Sequence, residues 1–155
     1  MQKISSFLWF DTQAEEAAKF YTSVFKNSKM KSVMHYDAAS AKASGRPEGS
    51  AMVASFQLEG LDFAALNGGP QFKFSEAVSF VITCNDQAEI DYYWGKLSAH
   101  PESEQCGWLK DKFGLSWQIV PKNLSELIST PKGMQAMLSM TKFDIKALED
   151  ANKQE

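Results

Sequence analysis

Apolar and polar positions along this chain alternate first with period two, then with the helical period, and the whole pattern then restarts. Ile4–Phe10 (ISSFLWF) is rich in β-prone residues and predicts a strand. In the following DTQAEEAAKFYTSVF, Ala14, Ala17, Ala18, Tyr21 and Phe25 recur at helical spacing. Asp11 or Thr12 is the expected cap, with Glu15 and Glu16 in the first turn, so an amphipathic helix is predicted. Lys29–Asp37 alternates like a strand. Ala38–Ser50 is small, polar and broken by Gly and Pro, which predicts a flexible loop and a candidate lid. AMVASFQLEG and LDFAALN predict two strands joined at a Glu59-Gly60 hairpin turn, and GGPQFKFSE a connector.

The second half repeats this order. AVSFVITC predicts a strand and NDQAEIDYYWGKLS a capped helix with Ile90, Tyr93, Trp94 and Leu97 on one face. SEQCGWLKD and FGLSWQIVP predict strands with Asp111-Lys112 near the turn. The letters repeat too. Ser6-Phe7 before Gln13-Ala14-Glu15 matches Ser79-Phe80 before Gln87-Ala88-Glu89, and Gly60-Leu61-Asp62-Phe63 matches Gly114-Leu115-Ser116-Trp117. The expected architecture is therefore α+β, with two βαβββ modules at about 3–67 and about 76–122, the second shorter. Neither half covers both sheet faces alone, so the halves are expected to form a curled mixed sheet with a cleft, as one domain over residues 1–155. The tail, about 123–155, predicts two helices: an apolar stripe of Met134, Met137, Leu138 and Met140, and a second start at a Thr141–Asp144 capping box.

Composition narrows the function classes. The chain has 155 residues, 44% of them hydrophobic, and a net charge of -3. Its Lys and Arg are scattered rather than striped, which argues against a nucleic-acid partner. No apolar run approaches the roughly 18 residues of a membrane span, and the N-terminal segment lacks the features of a secretion signal. Two cysteines, Cys84 and Cys106, are too few for a disulfide framework, so a reduced, cytoplasmic protein is expected.

A duplicated βαβββ unit resembles the vicinal oxygen chelate superfamily of glyoxalases, bleomycin-resistance proteins and dioxygenases. GGPQFKFSEAVSFVITCNDQAEIDYYWGKL, CGWLKDKFGLSWQIVP and AMLSMTKFDIKALEDA are similar to its PhnB-like branch, labelled demethylubiquinone methyltransferase, over about Ile4–Ala151. The resemblance implies a homodimer and, in the superfamily's enzymes, a metal held by His and Glu at the first and last strands of each module. Transferred through the repeat, those addresses are Ser6, Ser79, Ala64 (or Ala65) and Gln118. None is a His, Glu or Asp, so neither this metal centre nor any other cofactor is expected. Gly68-Gly69-Pro70 lacks the strand–helix context of a methyl-donor loop.

Strand alternation names the expected lining of the cleft: Ser6, Leu8, Ala64, Ser79, Val81 and Gln118, with His35, Asn67 and Trp108 as further candidates. His35 and His100 form no catalytic or metal motif. Small, apolar and neutral hydrogen-bonding groups suit a partly apolar small molecule. The expected function is small-molecule binding, for which bleomycin-resistance proteins are the superfamily precedent. The alternatives are a metal-dependent isomerase, lyase or dioxygenase, for which His35, Glu59 or Asp62 would have to converge, and a methyltransferase.

Overall fold

The structure is a computed structural model that describes residues 2–154. It is of the α+β class, and its backbone pairing makes two mixed sheets, one in each of two compact units, Met1–Lys73 and Phe74–Glu155.

The first unit runs β1 (Ser6–Phe10), α1 (Ala14–Val24), β2 (Ser28–His35), α2 (Ala38–Ser44), β3 (Ala51–Leu58) and β4 (Leu61–Asn67). Its sheet has the order β1-β4-β3-β2, with β1 parallel to β4 and the other neighbours antiparallel. The predicted periods hold because each buries one face. On α1, Ala14, Ala17, Ala18, Tyr21 and Val24 are buried, and on the sheet Leu8, Phe10, Ala54, Phe56, Leu58, Phe63 and Ala65. Tyr21 stacks on Phe56 and Phe56 on Phe63, fixing which sheet face α1 covers. The β3–β4 hairpin turns at Glu59 (φ 50°) and Gly60 (φ 80°), the successive positive angles of a type I′ turn.

Two local expectations fail here. Ala38–Ser50 is not an irregular loop, since its first seven residues form α2. Asp37 Oδ1 accepts from the Ser40 amide at 2.8 Å, the Asp37 amide donates to Ser40 Oγ at 3.0 Å, and Gly45 ends the helix at φ 73°. That is a capping box with a left-handed stop, a signal present in the letters D-x-x-S…G. Neither Asp11 nor Thr12 caps α1: the cap position is Gln13, and the Ala14 amide donates instead to Asn67 Oδ1 at 2.7 Å.

The second unit runs β5 (Phe80–Cys84), α3 (Gln87–Leu97), a 3-10 turn at Pro101–Ser103, β6 (Trp108–Lys110) and β7 (Ser116–Pro121), then α4 (Leu124–Leu127), α5 (Pro131–Leu138) and α6 (Ile145–Asn152). Its sheet is β5-β7-β6, with β5 parallel to β7. The module is thus βαββ, one strand short of the expected repeat. After α3 there is only the 3-10 turn and an isolated Gln105–Trp108 bridge. Ile90, Tyr93 and Leu97 of α3 are buried, as are Leu109, Trp117 and Ile119.

The tail docks on this unit by backbone pairing. The Cys106 amide donates to Met140 O at 2.9 Å and the Gly107 amide to Thr141 O at 2.8 Å. Gln87 clamps the next turn, donating to Phe143 O at 2.9 Å while its Oε1 accepts from the Ile145 amide at 2.8 Å. Phe143 and Leu148 are buried. The cap of α6 is Asp144, which accepts from the Ala147 amide at 3.0 Å, so the Thr141–Asp144 box does not form. Among the described residues no helix is long and apolar enough to cross a membrane.

Candidate functional site

The β6–β7 hairpin and its neighbour β5 bring four of the predicted residues together on the sheet face opposite Trp117 and Ile119. In register, Val81 lies beside Gln118 and Gln118 beside Trp108. Two residues before Val81 on the same face, Ser79 Oγ accepts from Gln118 Nε2 at 2.9 Å. Val81 is 55% exposed, and Ser79, Gln118 and Trp108 are half-buried. Two residues on from Trp108, Lys110 pairs in register with Ser116 and forms an ion pair with Glu76. Hydrogen bonding from Lys110 holds the Glu76 carboxyl below the usual carboxylate range.

Beside this row lies a cavity of about 470 Å³, lined by Glu76, Glu102, Ser103, Gln105, Cys106, Trp108, Leu109, Lys110 and Ser116. Its volume falls within the few-hundred-Å³ range of small-molecule sites. The tail contacts two of these lining residues: Gln105 Nε2 donates to Leu138 O at 3.3 Å, and the Cys106 thiol lies 3.5 Å from Met137 O. Ser116 is 1% exposed, and its hydroxyl has no hydrogen-bond partner.

The remaining predicted residues lie elsewhere. Phe7 pairs with Ala64, and Ser6 with Phe63. Ser6 and Leu8 therefore face α1, and Leu8, 6% exposed, belongs to the core. Ala64 is on the opposite, open face with Phe7 and Trp9, so it shares no lining with Ser6 and Leu8. Asn67 is no rim residue but a buried hub. Besides taking the Ala14 amide, its side-chain amide donates to Ala51 O at 3.1 Å, and its carbonyl accepts from Tyr36 Oη at 2.6 Å. His35 sits exposed at the end of β2, beyond a register shift. His100 Nδ1 faces Glu102 at 3.5 Å. Strand alternation also puts Ser116 on the face of Gln118, and it lines the cavity. The residues that sequence reasoning missed, Ser103 and Lys110, carry no motif.

Residues 2–120 match the family model described as 3-demethylubiquinone-9 3-methyltransferase. A PhnB protein from Bacillus cereus, described with the same activity, is 36% identical over 77% of this chain and 99% of that chain, with a TM-score of 0.63. The chain belongs to this PhnB-like family. Protein PA1353 from Pseudomonas aeruginosa is 16% identical over 79% of this chain and 98% of that one, and shares the fold at a TM-score of 0.57. A glyoxylase/bleomycin resistance protein/dioxygenase domain from Frankia sp. EAN1pec aligns over 78% of this chain and 92% of its own at 13% identity, with a TM-score of 0.49. No curated protein matches the chain. The family match stops at Val120, short of the expected Ala151, so α4, α5 and α6 lie beyond it.

Within this PhnB-like chain the metal addresses shift by one residue in the first module. Phe7 pairs with Ala64 as Val81 pairs with Gln118, so the counterpart of Ser79 is Ser5, not Ser6. The repeated Ser-Phe letters mislead because they are one step out of pairing register, and one step reverses the face. The donor set does not fit a divalent metal. Ser5 and Ser79 offer neutral hydroxyls, Ala64 offers nothing, and the Gln118 amide is engaged by Ser79. Among the described residues no group of three or more His, Cys, Asp or Glu side chains is arranged to hold a metal ion. Gly68 and Gly69 follow β4 and precede no helix; the Gly68 amide donates to Phe10 O at 2.9 Å.

Proposed function

We propose that this PhnB-like protein binds a small molecule on the open face of its second sheet, in the cavity beside Trp108, without the superfamily's metal centre. The hydrogen bond from Gln118 to Ser79 carries this reading. An enzyme of the superfamily would need an imidazole or carboxylate donor at each of these positions, and here a hydroxyl and an amide satisfy each other. Two experiments test it together. Incubation with excess Ni, Zn, Mn or Fe, then desalting and elemental analysis, is expected to leave no stoichiometric metal. A thermal-shift screen of neutral small molecules is expected to give hits that Trp108→Leu weakens. A stoichiometric ion whose retention depends on Gln118 would overturn the metal-free part, and a screen without hits would overturn binding.

A methyltransferase is the second reading, favoured by the family's description. Calorimetric binding of S-adenosylmethionine would support it. The glycine pair at 68–69 has no strand–helix context for such a donor, so no binding is expected. The protein is further proposed to form a homodimer, testable by light scattering. A cytoplasmic location accords with its two free thiols, Cys84 and Cys106.

A further inference from the structure

The helices α4, α5 and α6 lie beyond the family match, and they are tied firmly to one another. Asn152 Oδ1 accepts from the Thr130 amide at 3.1 Å and the Thr130 hydroxyl at 2.9 Å, and its Nδ2 donates to Glu126 O at 3.1 Å. One side chain near the end of α6 thus fixes the corner between α4 and α5. A Cβ on Gly133 would lie 2.5 Å from Leu127 O and 2.8 Å from Asn152 Oδ1, so α5 packs on that corner at a distance only glycine allows. Yet the tail buries little: of the described residues from 122 to 154, only Leu127, Gly133, Phe143 and Leu148 are buried. Segments with few buried side chains open at a lower free energy than a core does.

The tail is held to the second unit by a short latch between Met140 and Ile145. There the Cys106 and Gly107 amides donate to Met140 O and Thr141 O, and Gln87 holds Phe143 O and the Ile145 amide. Lys142 Nζ lies 2.8 Å from Asp91 Oδ1. Across the latch, Gln105 and Cys106 line the cavity. Gln105 Nε2 donates to Leu138 O at 3.3 Å, and the Cys106 thiol lies 3.5 Å from Met137 O and 3.6 Å from Leu138 O. The end of α5 therefore covers that wall. Only Lys122 and Asn123 link β7 to α4, and the Lys122 amide still donates to Cys84 O at 2.8 Å.

We propose that α4, α5 and α6 form a hinged strap that opens as one unit about Lys122–Asn123 while the sheet stays folded, and that its closed position controls access to the cavity at Gln105 and Cys106. This rests on the proposed small-molecule function and adds how that site is opened and shut. Gln87 is the positioning residue of the latch. It sits on α3, outside the cavity lining, and acts on the wall through the tail.

The test uses the full chain. Amide hydrogen exchange is followed in rising, sub-denaturing urea at Cys106, Gly107 and Ile145, which the latch protects, and at Ile119, whose amide donates to Gly107 O within the hairpin. The three latch amides are expected to share one opening, at least about tenfold easier than that of Ile119 and with a smaller dependence on urea, because less surface is exposed. Gln87→Leu is expected to speed exchange at Cys106 and Gly107 about tenfold, the size of one ordinary hydrogen bond. Alkylation of Cys106 by iodoacetamide, a small neutral probe, should rise in the same proportion. Lys142→Gln removes only a half-exposed ion pair and should raise both about twofold, which keeps the test open if Gln87→Leu does not fold. Latch amides that share the protection and urea dependence of Ile119 would show tail and sheet opening together and overturn the strap. Faster exchange with unchanged alkylation would overturn its control of access. None of these readouts needs a bound molecule. If they fail while the screen of neutral small molecules gives hits, the strap falls and small-molecule binding stands. If they hold while the screen gives none, the strap stands and small-molecule binding falls.

Discussion

Replacing Asp111 tests what holds the hairpin that carries Trp108, Lys110, Ser116 and Gln118. Asp111 follows β6 directly and is 0% exposed. Its Oδ1 accepts from the amides of Phe113 at 2.9 Å and Leu115 at 3.1 Å, and its Oδ2 accepts from Trp117 Nε1 at 2.8 Å. Its own amide donates to Leu115 O at 3.0 Å, so backbone and side chain together close the turn. Asp111→Ala removes the acceptor for two buried donors, the Leu115 amide and the Trp117 indole; the half-buried Phe113 amide can turn to water. At about 1–3 kcal/mol for each stranded donor, the expected loss is about 2–6 kcal/mol, a large part of the roughly 5–15 kcal/mol that holds a domain. Asp111→Asn keeps one oxygen but sets an NH2 against a donor, so a smaller loss, about 1–3 kcal/mol, is expected. Urea unfolding followed by tryptophan fluorescence gives the loss, and faster exchange of the Leu115 amide and Trp117 indole protons locates it. A loss below about 1 kcal/mol for Asp111→Ala, or unchanged exchange at those two sites, would refute the assignment of this carboxylate as the turn's anchor.

The two thiols should separate by reactivity. Burial pushes Cys84 up to about 12, whereas Cys106 lines the cavity half-buried, so iodoacetamide at pH 8 should label Cys106 and spare Cys84, as read by peptide mass. Because the folded-state value of Cys84 lies above its ordinary one, its contribution to stability is complete below pH 9 and is lost as pH rises toward 12. Cys84→Ala should therefore flatten the alkaline fall in melting temperature, and an identical alkaline profile would contradict the burial effect. Glu59 holds φ 50° in the β3–β4 turn, so Glu59→Asn should raise stability by about 0.5–1 kcal/mol in urea titration, since Asn tolerates that region better. Gly107 has φ 85°, and a Cβ there would lie 2.7 Å from the Phe143 ring and 3.1 Å from Ile119 O. Gly107→Ala should cost about 2 kcal/mol or more and speed amide exchange across Cys106 and Gly107, where the tail pairs; an unchanged melting curve would rule this out.

Local patterning and the internal repeat were enough to read much of this protein. Period-two and period-3.6 segments mark β1, α1, β3, β4, β5 and α3 because each buries one face, and burial enforces the period. Glu59-Gly60 marks its turn because that backbone needs two successive positive angles. The identities of the residues at the metal addresses were also legible as neutral types. The addresses themselves were not. Pairing register is a relation between strands far apart in sequence, and the parallel alignment of β1 with β4 moves the first-module address from Ser6 to Ser5 and turns Leu8 into the core. Asn67 looks like a polar strand end, and only the fold brings the start of α1 within 2.7 Å of it. Ser116 shows the same limit. Its letter says hydroxyl, but whether that hydroxyl is paired depends on Gln118 turning to Ser79 and Lys110 to Glu76, which are choices made among side chains and not along the chain.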